Sequence, residues 1–133
     1  RKHQPDFVVL DGVYLVSSGD GKKAMWEQSH SLFYGLKNLC MSHNITTFVS
    51  TQANRDAADI YAPPRAEHVA FGDALLRASD VALSMCMVED NDFKRIIQYQ
   101  KYRDGELAVD NSLLEWNVDI GYIKEDSRYA GEF

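Results

Sequence analysis

The chain has 133 residues, of which 45% are hydrophobic and 26% charged, and it carries a formal net charge of −6. This length and composition predict one globular domain over residues 1–133. The negative charge excludes a broadly basic surface for nucleic acid, because such binding depends on Lys and Arg that neutralise phosphates, so any DNA contact must be local.

Cysteine and apolar patterning bear on the compartment. The two cysteines, Cys40 and Cys86, lie far apart in apolar surroundings, which predicts free buried thiols in a reducing compartment. The four histidines show no metal-ligand spacing. No apolar run reaches the length of a membrane span, and no signal-peptide pattern follows the N-terminal residues, so we expect a protein of the cytosol.

The first half of the chain predicts a strand, a helix and a second strand. The apolar run Phe7–Leu10, β-branched in its middle, indicates a strand that is buried on both faces. Apolar side chains then recur at helical spacing and predict a helix over about residues 25–43. Asn44 is suited to end it, since Asn tolerates the left-handed conformation. The β-branched residues 45–51 predict the second strand.

The second half is richer in β-structure. Residues 52–71 lack periodicity, and a stretch of this length favours a functional loop over a simple linker. The pattern that follows predicts a helix over residues 72–79 and strands over 80–87, 93–101 and about 113–118, with polar turns at 89–92 and 103–106. This order predicts an α/β layered domain with a hairpin-like C-terminal edge.

Two polar residues follow the two predicted N-terminal strands. Asp11 stands at the carboxyl end of the first strand, where open α/β sheets bind ligands and where a nucleotide enzyme would hold Mg²⁺. Gln52 follows the second strand, and its amide could bond a γ-phosphate or the attacking water. Each residue has a structural alternative, because Asp also begins many turns and a polar strand end also caps them.

Two cations lie on the predicted strand over residues 93–101 and in the turn after it. Lys101 and Arg103 alternate, so both side chains point to one face, where they repel each other unless an anion or solvent lies opposite. An Arg that reaches a transferring phosphoryl group stabilises charge in the transition state. The alternative is a solvated edge strand, where Lys discourages edge pairing.

Several segments, in this order, resemble the DnaB-like replicative helicases of phage type, which have a RecA-like fold. They are Phe7 to Asp11, Trp26-Glu27 with Leu36-Lys37-Asn38-Leu39, Ser50-Thr51-Gln52-Ala53-Asn54-Arg55, Ala78-Ser79-Asp80-Val81 and Lys101-Tyr102-Arg103-Asp104-Gly105. The resemblance runs from Phe7 to about Trp116. It implies the C-terminal half of a RecA-like P-loop NTPase core, with a mostly parallel sheet, flanking helices and a C-terminal β-hairpin.

The resemblance implies site residues and cofactors. Asp11 matches the Walker B aspartate, which holds Mg²⁺ through water, and Gln52 matches the glutamine that senses the γ-phosphate of ATP. Lys101 and Arg103 match the lysine and arginine finger that enter a neighbouring subunit's ATP site. The implied assembly is a ring-forming homo-oligomer, a hexamer, in the cytoplasm of a bacterium or of a phage-infected host.

The resemblance also implies contacts with single-stranded DNA. Residues 56–71 match the loop that lines the central channel, with Arg65 in it and Arg55 directly before it as basic candidates. Nearby acidic residues oppose Arg65, so backbone amides would take a larger share of phosphate binding. Lys22 and Lys23 form a second candidate contact, for which an exposed solubilising pair is the alternative.

The departures from the family define two further expectations. No Gly-Lys-Ser/Thr phosphate loop occurs in the chain, so the resemblance implies a missing N-terminal half of the motor domain, possibly a separate chain. That half would supply a strand between the Gln52 strand and the Asp80 strand, so we expect a gap in the sheet. In the segment over residues 76–80, only Asp80 matches the family pattern. A RecA-like recombinase fragment and a non-catalytic α/β interaction module remain the alternatives.

Overall fold

A computed structural model describes residues 5–16, 25–54, 57, 59–69, 72–105 and 111–126. Two helices and six strands occur there, together with short 3₁₀ turns: β1 (Phe7–Leu10), α1 (Met25–His43), β2 (Thr46–Val49), α2 (Gly72–Ala78), β3 (Val81–Val88), β4 (Asn91–Tyr102), β5 (Asn111–Asn117) and β6 (Tyr122–Glu125). The helix over residues 25–43 is confirmed. Asn44, directly after it, has the expected left-handed conformation, with φ 52°.

The first two strands form a small parallel sheet. β1 pairs with β2 in parallel, in a register that runs from Phe7 opposite Thr46 to Leu10 opposite Val49. Parallel neighbours need a crossover connection, and α1 supplies it. The backbone N–H of Ser50 donates to the carbonyl of Leu10 at 3.0 Å, so the pairing continues past the end of both strands.

The other four strands form an antiparallel sheet in the order β3-β4-β5-β6. The expected hairpin is present, but it belongs to a meander that also includes β6, which the sequence did not predict. The expectation of a mostly parallel sheet is met only in part, since parallel pairing occurs only between β1 and β2 within the described residues. The reason is local. Glu89 and Asp90 alone separate β3 from β4, and so short a turn can join only antiparallel strands.

The strands β2 and β3 belong to different sheets and do not pair with each other in the described part of the chain. An open cleft of about 270 Å³ lies beside the first residues of both strands. Its wall includes Thr46 of β2, Asp80 directly before β3, and Lys37 and Cys40 of α1. The sheet is therefore interrupted between β2 and β3, the position at which the resemblance implied a gap.

The core packs α1 against α2 and the chain segment after β1. Val13, Phe33 and Ala78 are its buried members, and Leu36 packs against them from α1. Burying a side chain the size of Phe stabilises the fold by about 1.5–3 kcal/mol. The helical spacing of residues 33 and 36 in the sequence thus marks the face of α1 that packs on α2. The side chain of Trp26 lies outside the described part.

The outer face of the parallel pair is uncovered. Phe7 is 60% and Val9 61% exposed, and Phe7 meets only the edge of Phe48, at a ring-centroid distance of 6.4 Å. The prediction that β1 is buried on both faces is therefore wrong for the described part of the chain. A parallel sheet has both faces covered in a complete α/β domain, and no described element covers this one.

The cysteines are free, as predicted. Cys86 is buried within the antiparallel sheet, and burial raises the pKa of its thiol. Cys40 is only half-buried, and its Sγ donates to Thr47 Oγ1 at 3.0 Å. Among the described residues, no helix is both long enough and apolar enough to cross a membrane.

Candidate nucleotide and subunit-contact site

The carboxyl ends of β1 and β2 place Asp11 beside Ser50. The parallel register pairs Leu10 with Val49, so the next residues of the two strands are neighbours. The hydroxyl of Ser50 donates to Asp11 Oδ1. Asp11 is exposed, so this hydroxyl fixes the direction of a carboxylate that solvent and ligands can still reach.

Gly12 makes the turn that presents Asp11. Its φ of 76° and ψ of 62° lie in the left-handed region, which a residue with a Cβ enters only at a cost. Its N–H donates to Ser50 Oγ at 2.8 Å, and the N–H of Val13 donates to the carbonyl of Ser50 at 2.9 Å. Ser50 therefore holds three consecutive residues after β1, which include Asp11.

Gln52 follows β2 at the same end of the parallel pair. It lies two residues beyond Ser50 and is exposed. Asp11 and Gln52 thus share the carboxyl edge of two adjacent parallel strands, the edge at which α/β sheets bind ligands. The arrangement suits a ligand that needs one carboxylate and one amide from neighbouring strands.

The donor set at this edge suits Mg²⁺ held mainly by water and phosphate. No group of three His, Cys, Asp or Glu side chains that could hold a metal occurs among the described residues. Mg²⁺ does not need such a group, since it keeps several waters and takes one or two carboxylates together with substrate phosphates. Asp11, accessible and oriented by Ser50, fits that role.

The two cations of the predicted finger cap the end of α2. Lys101 Nζ donates to the carbonyls of Leu76 and Ser79, the second at 2.8 Å. Arg103 Nη2 donates to the carbonyls of Arg77 and Ser79 at 3.2 and 3.4 Å. The last carbonyls of a helix lack partners within the helix, so cations stabilise this end. Both side chains reach Ser79, which confirms that they share a face.

Asp80 is the anion that lies opposite these cations. Arg103 Nη1 is 2.8 Å from Asp80 Oδ1, and Lys37 Nζ of α1 donates to Asp80 Oδ2. The hydrogen bond from Lys37 is the main cause that lowers the pKa of Asp80, with the charges of Lys37, Arg103 and Lys101 adding to it against partial burial. Asp80 therefore remains ionised under all physiological conditions.

The two groups of residues lie at opposite ends of β2. Asp80 and Thr46, the first residue of β2, line the same cleft, whereas Gln52 follows the last residue of β2. The four residues of this strand span about 13 Å. Arg103, which is bound to Asp80, is thus separated from Asp11 and Gln52 of its own chain by the length of the strand.

The loop after Gln52 is closed on itself and rests on β3. The N–H of Asn54 donates to the carbonyl of His68 at 2.6 Å, and Ala53 pairs with Val69 in an isolated antiparallel bridge. The N–H of Met87 in β3 donates to the carbonyl of Ile60 at 3.0 Å. The stretch that lacked periodicity is therefore a compact surface loop with its ends together.

Arg65 stands exposed on this loop, directly before a 3₁₀ turn over Ala66–His68. Its Nη1 is 4.0 Å from Glu67 Oε1, and both side chains are mostly exposed, so the pair contributes little stability. Arg65 is thus available to an external anion. The other predicted DNA contacts, Arg55, Lys22 and Lys23, lie outside the described residues.

Two contributors gave no signal in the sequence reasoning. Ser50 was visible only as part of a polar strand end, and its role follows from the parallel register, which places it beside Asp11. Lys37 is one of several polar residues on α1, and its contact with Asp80 bridges 43 positions of the chain. Knowledge of the strand pairing would have pointed to Ser50. No local pattern would have pointed to Lys37.

Comparison with known proteins gives a fold and no sequence family. No protein-family model matches the chain. No curated protein matches it. Among solved structures, the ATPase domain of a phage DnaB-like helicase matches with a TM-score of 0.77 at 14% sequence identity, over 88% of this chain and 43% of that one. The chain spans less than half the length of that structure, and it shares the fold of an ATPase domain over nearly all of its own length.

Proposed function

We propose that this chain is part of an ATP-dependent, DnaB-like replicative DNA helicase of phage type, which assembles as a hexameric ring and translocates on single-stranded DNA. The observation that carries the proposal is the placement of Arg103 at the opposite end of β2 from Gln52. An arginine so placed serves a nucleotide bound by a neighbouring subunit. The shared fold with an ATPase domain supports the same conclusion.

Within the chain's own nucleotide site, Asp11 and Gln52 divide the work. Asp11, oriented by Ser50, holds water molecules of Mg²⁺, and Mg²⁺ when bound neutralises charge on the β- and γ-phosphates of ATP. Gln52, exposed beyond the end of β2, hydrogen-bonds the γ-phosphate or the attacking water. Since Gln52 leads directly into the closed loop over residues 54–68, loss of the γ-phosphate is transmitted to that loop.

In the neighbour's site, Arg103 acts as the arginine finger and Lys101 supports it. Arg103 is 41% exposed at its side chain, so its guanidinium can reach an anion outside the subunit. A guanidinium has five N–H donors, more than the three contacts made to Asp80, Arg77 and Ser79. Lys101 is more enclosed, and its bonds to α2 hold the end of β4 in place.

The missing part of the motor domain fills the interruption between β2 and β3. Both strands present an edge that no described strand pairs with, and the cleft between them opens beside their first residues. A strand from the N-terminal half, on the same chain or a separate one, would pair with both edges and carry the phosphate loop. The 43% coverage of the matched ATPase domain agrees with this division.

The loop that contains Arg65 faces the DNA in the proposed ring. Its compact form, closed by Asn54 and His68, gives a rigid support for contacts with phosphates. One exposed cation per subunit, repeated in a ring of six, would provide a sequence-independent grip on a single strand.

Mixed rings test the assignment of Arg103. Asp11→Asn subunits lack their own site but keep Arg103, and Arg103→Ala subunits have the reverse defect, so rings of either variant alone should hydrolyse little ATP. If Arg103 serves the neighbour, random 1:1 mixing restores a competent combination at about a quarter of the sites. Single-strand-stimulated ATPase of the complete protein is the measurement. Mixed rings as inactive as the two parents would refute action in trans.

Electron microscopy of the complete protein with nucleotide and single-stranded DNA separates the proposed ring from the related alternative. A RecA-like recombinase would form a helical filament and exchange strands, whereas the proposed helicase forms closed rings and unwinds a forked duplex. Absence of any nucleotide binding by the complete protein would favour an α/β interaction module.

A further inference from the structure

Arg103 reaches its position through an irregularity in β4. From Leu83 to Met87, β3 pairs with β4 in one register, and Tyr99 lies opposite Leu83. The register then shifts so that Lys101 lies opposite Ala82, which leaves Gln100 as the extra residue of a β-bulge. Bulges occur where a strand must redirect a side chain.

The bulge places Arg103 opposite Asp80. Without the extra residue, the register over the rest of the pair would bring Tyr102 to that position. With it, the backbone N–H of Arg103 donates to the carbonyl of Asp80 at 2.9 Å, and the two side chains form an ion pair at 2.8 Å. Backbone and side chain therefore fix Arg103 on the same residue.

Asp80 is itself held by a second element. Lys37, in the C-terminal half of α1, donates to Oδ2 of Asp80, while Oδ1 faces Arg103. The two carboxylate oxygens thus have different partners from different elements. Because α1 also connects β1 to β2, the carboxylate that orients Arg103 is bonded to the helix that ends where β2 begins.

We propose that Asp80, oriented by Lys37, is a positioning residue for Arg103, which it holds extended toward the neighbouring subunit's nucleotide. This inference rests on the proposed function, since it assumes that Arg103 acts on that nucleotide. Asp80 does not touch the nucleotide. It restricts a long side chain with several rotatable bonds to one direction, which lowers the entropy lost when the guanidinium meets the transferring phosphoryl group.

The experiment is a double-mutant cycle on ATP hydrolysis by the complete, ring-forming protein. Asp80→Asn keeps the shape of the side chain and removes its charge. Asp92→Asn, near the exposed start of β4, is the matched control. We expect Asp80→Asn to lower kcat about 10- to 100-fold, as loss of an orienting partner does, with KM for ATP unchanged and Asp92→Asn at wild-type activity.

The cycle separates positioning from a structural role. In the Arg103→Ala background, Asp80→Asn should lower kcat less than about twofold further, because no arginine remains to be positioned. An equal loss in both backgrounds would assign Asp80 a structural role and overturn the inference. If Asp80→Asn prevents ring assembly, Asp80→Glu replaces it. This variant keeps the charge and should retain more than about half of kcat, and a loss as large as that of Arg103→Ala would count against positioning.

The failure of the proposed function has its own signature. If Arg103→Ala alone leaves hydrolysis unchanged, Arg103 serves no nucleotide, and both the trans role and the inference fall. If Arg103→Ala abolishes hydrolysis while Asp80→Asn behaves like Asp92→Asn, the function stands and only the positioning role is refuted.

Discussion

Ser50 and Asp11 form the tightest link between the two parallel strands beyond their ends: the Ser50 hydroxyl donates to the Asp11 carboxylate while it accepts from the backbone N–H of Gly12 at 2.8 Å. One side chain thus fixes both the carboxylate and the turn that presents it. In an ATPase, such a partner would determine how well the carboxylate is aligned with the waters of Mg²⁺.

Ser50→Ala should therefore weaken the use of Mg²⁺. We expect the Mg²⁺ concentration that gives half-maximal ATPase activity to rise about tenfold, the lower range for loss of a partner behind a metal ligand. Ser42→Ala is the matched control, because Ser42 is exposed on α1 and bonds only its own helix at Leu39. An unchanged Mg²⁺ dependence in Ser50→Ala would show that Ser50 does not orient Asp11 for the metal.

The turn at Gly12 predicts opposite effects for two glycine-to-alanine changes. Gly12 has φ 76°, so Gly12→Ala should lower the free energy of unfolding by about 1–2 kcal/mol. Gly35 is exposed on α1, and an added Cβ there meets no atom within 4 Å. Gly35→Ala should raise the free energy of unfolding by about 0.5–1 kcal/mol. Urea denaturation of both variants measures the difference, and effects of equal sign would contradict the backbone argument.

The Lys37–Asp80–Arg103 cluster predicts a dependence of stability on pH. The pKa of Asp80 is lowered in the folded state, first by the hydrogen bond from Lys37, so the folded state favours the ionised carboxylate. Its contribution is present above the ordinary Asp pKa of about 3.9 and is lost as pH falls through the lowered folded value. Asp80 is 54% exposed at its side chain, so screening by solvent keeps this contribution small.

We expect the difference in unfolding free energy between wild type and Asp80→Asn to be constant from pH 7 to pH 5 and to shrink below about pH 4. Urea denaturation across this range is the measurement, with Asp92→Asn as the variant that reports an Asp-to-Asn change outside the cluster. A difference that instead grows on acidification would contradict the sign of the shift.

Elements with local signals were predictable from the sequence, and pairings between distant segments were not. The helix over residues 25–43 and its end at Asn44 follow from apolar spacing and from one residue's tolerance of positive φ. The short helix and the strands β3 and β4 were placed within a few residues. By contrast, β6 has four exposed residues and gains its partner only through the pairing of Trp116 with Ile123.

The candidate site divides in the same way. Asp11 and Gln52 were found because each follows a predicted strand directly. The shared face of Lys101 and Arg103 follows from alternation. Their actual partners, the carbonyls at the end of α2 and the carboxylate of Asp80, depend on a bulge at Gln100 and on the packing of α2. Neither is encoded in a local pattern, so the sequence identified the charged groups without the contacts that hold them.

Arg65 should contribute a single phosphate contact to DNA binding. Arg65→Ala in the complete protein should weaken binding to single-stranded oligonucleotides of any sequence, and it should reduce the slope of log K against log salt by about 0.7 for each phosphate that Arg65 neutralises. Lys124→Ala is the control, because Lys124 lies on β6 in the antiparallel sheet, away from the loop. An unchanged salt slope with Arg65→Ala would exclude Arg65 from the DNA interface.

The interruption between β2 and β3 predicts which amides are protected only in the complete protein. Each strand has one edge without a described partner, and Leu83 and Met85 of β3 expose about half of their side chains. If the N-terminal half of the motor domain inserts a strand there, hydrogen exchange in peptides from β2 and β3 should be much slower in the complete protein than in the isolated chain.

The strand β5 is the internal reference for this experiment. It pairs with β4 on one side and β6 on the other, so its exchange should be the same in the two samples. Faster exchange of β5 in the isolated chain would mean that the chain unfolds without its partner, a stronger dependence on the inserted strand. Equal exchange of β2 and β3 in both samples, with β5 protected, would mean that no strand enters the gap, and the proposed division of the motor domain would be wrong.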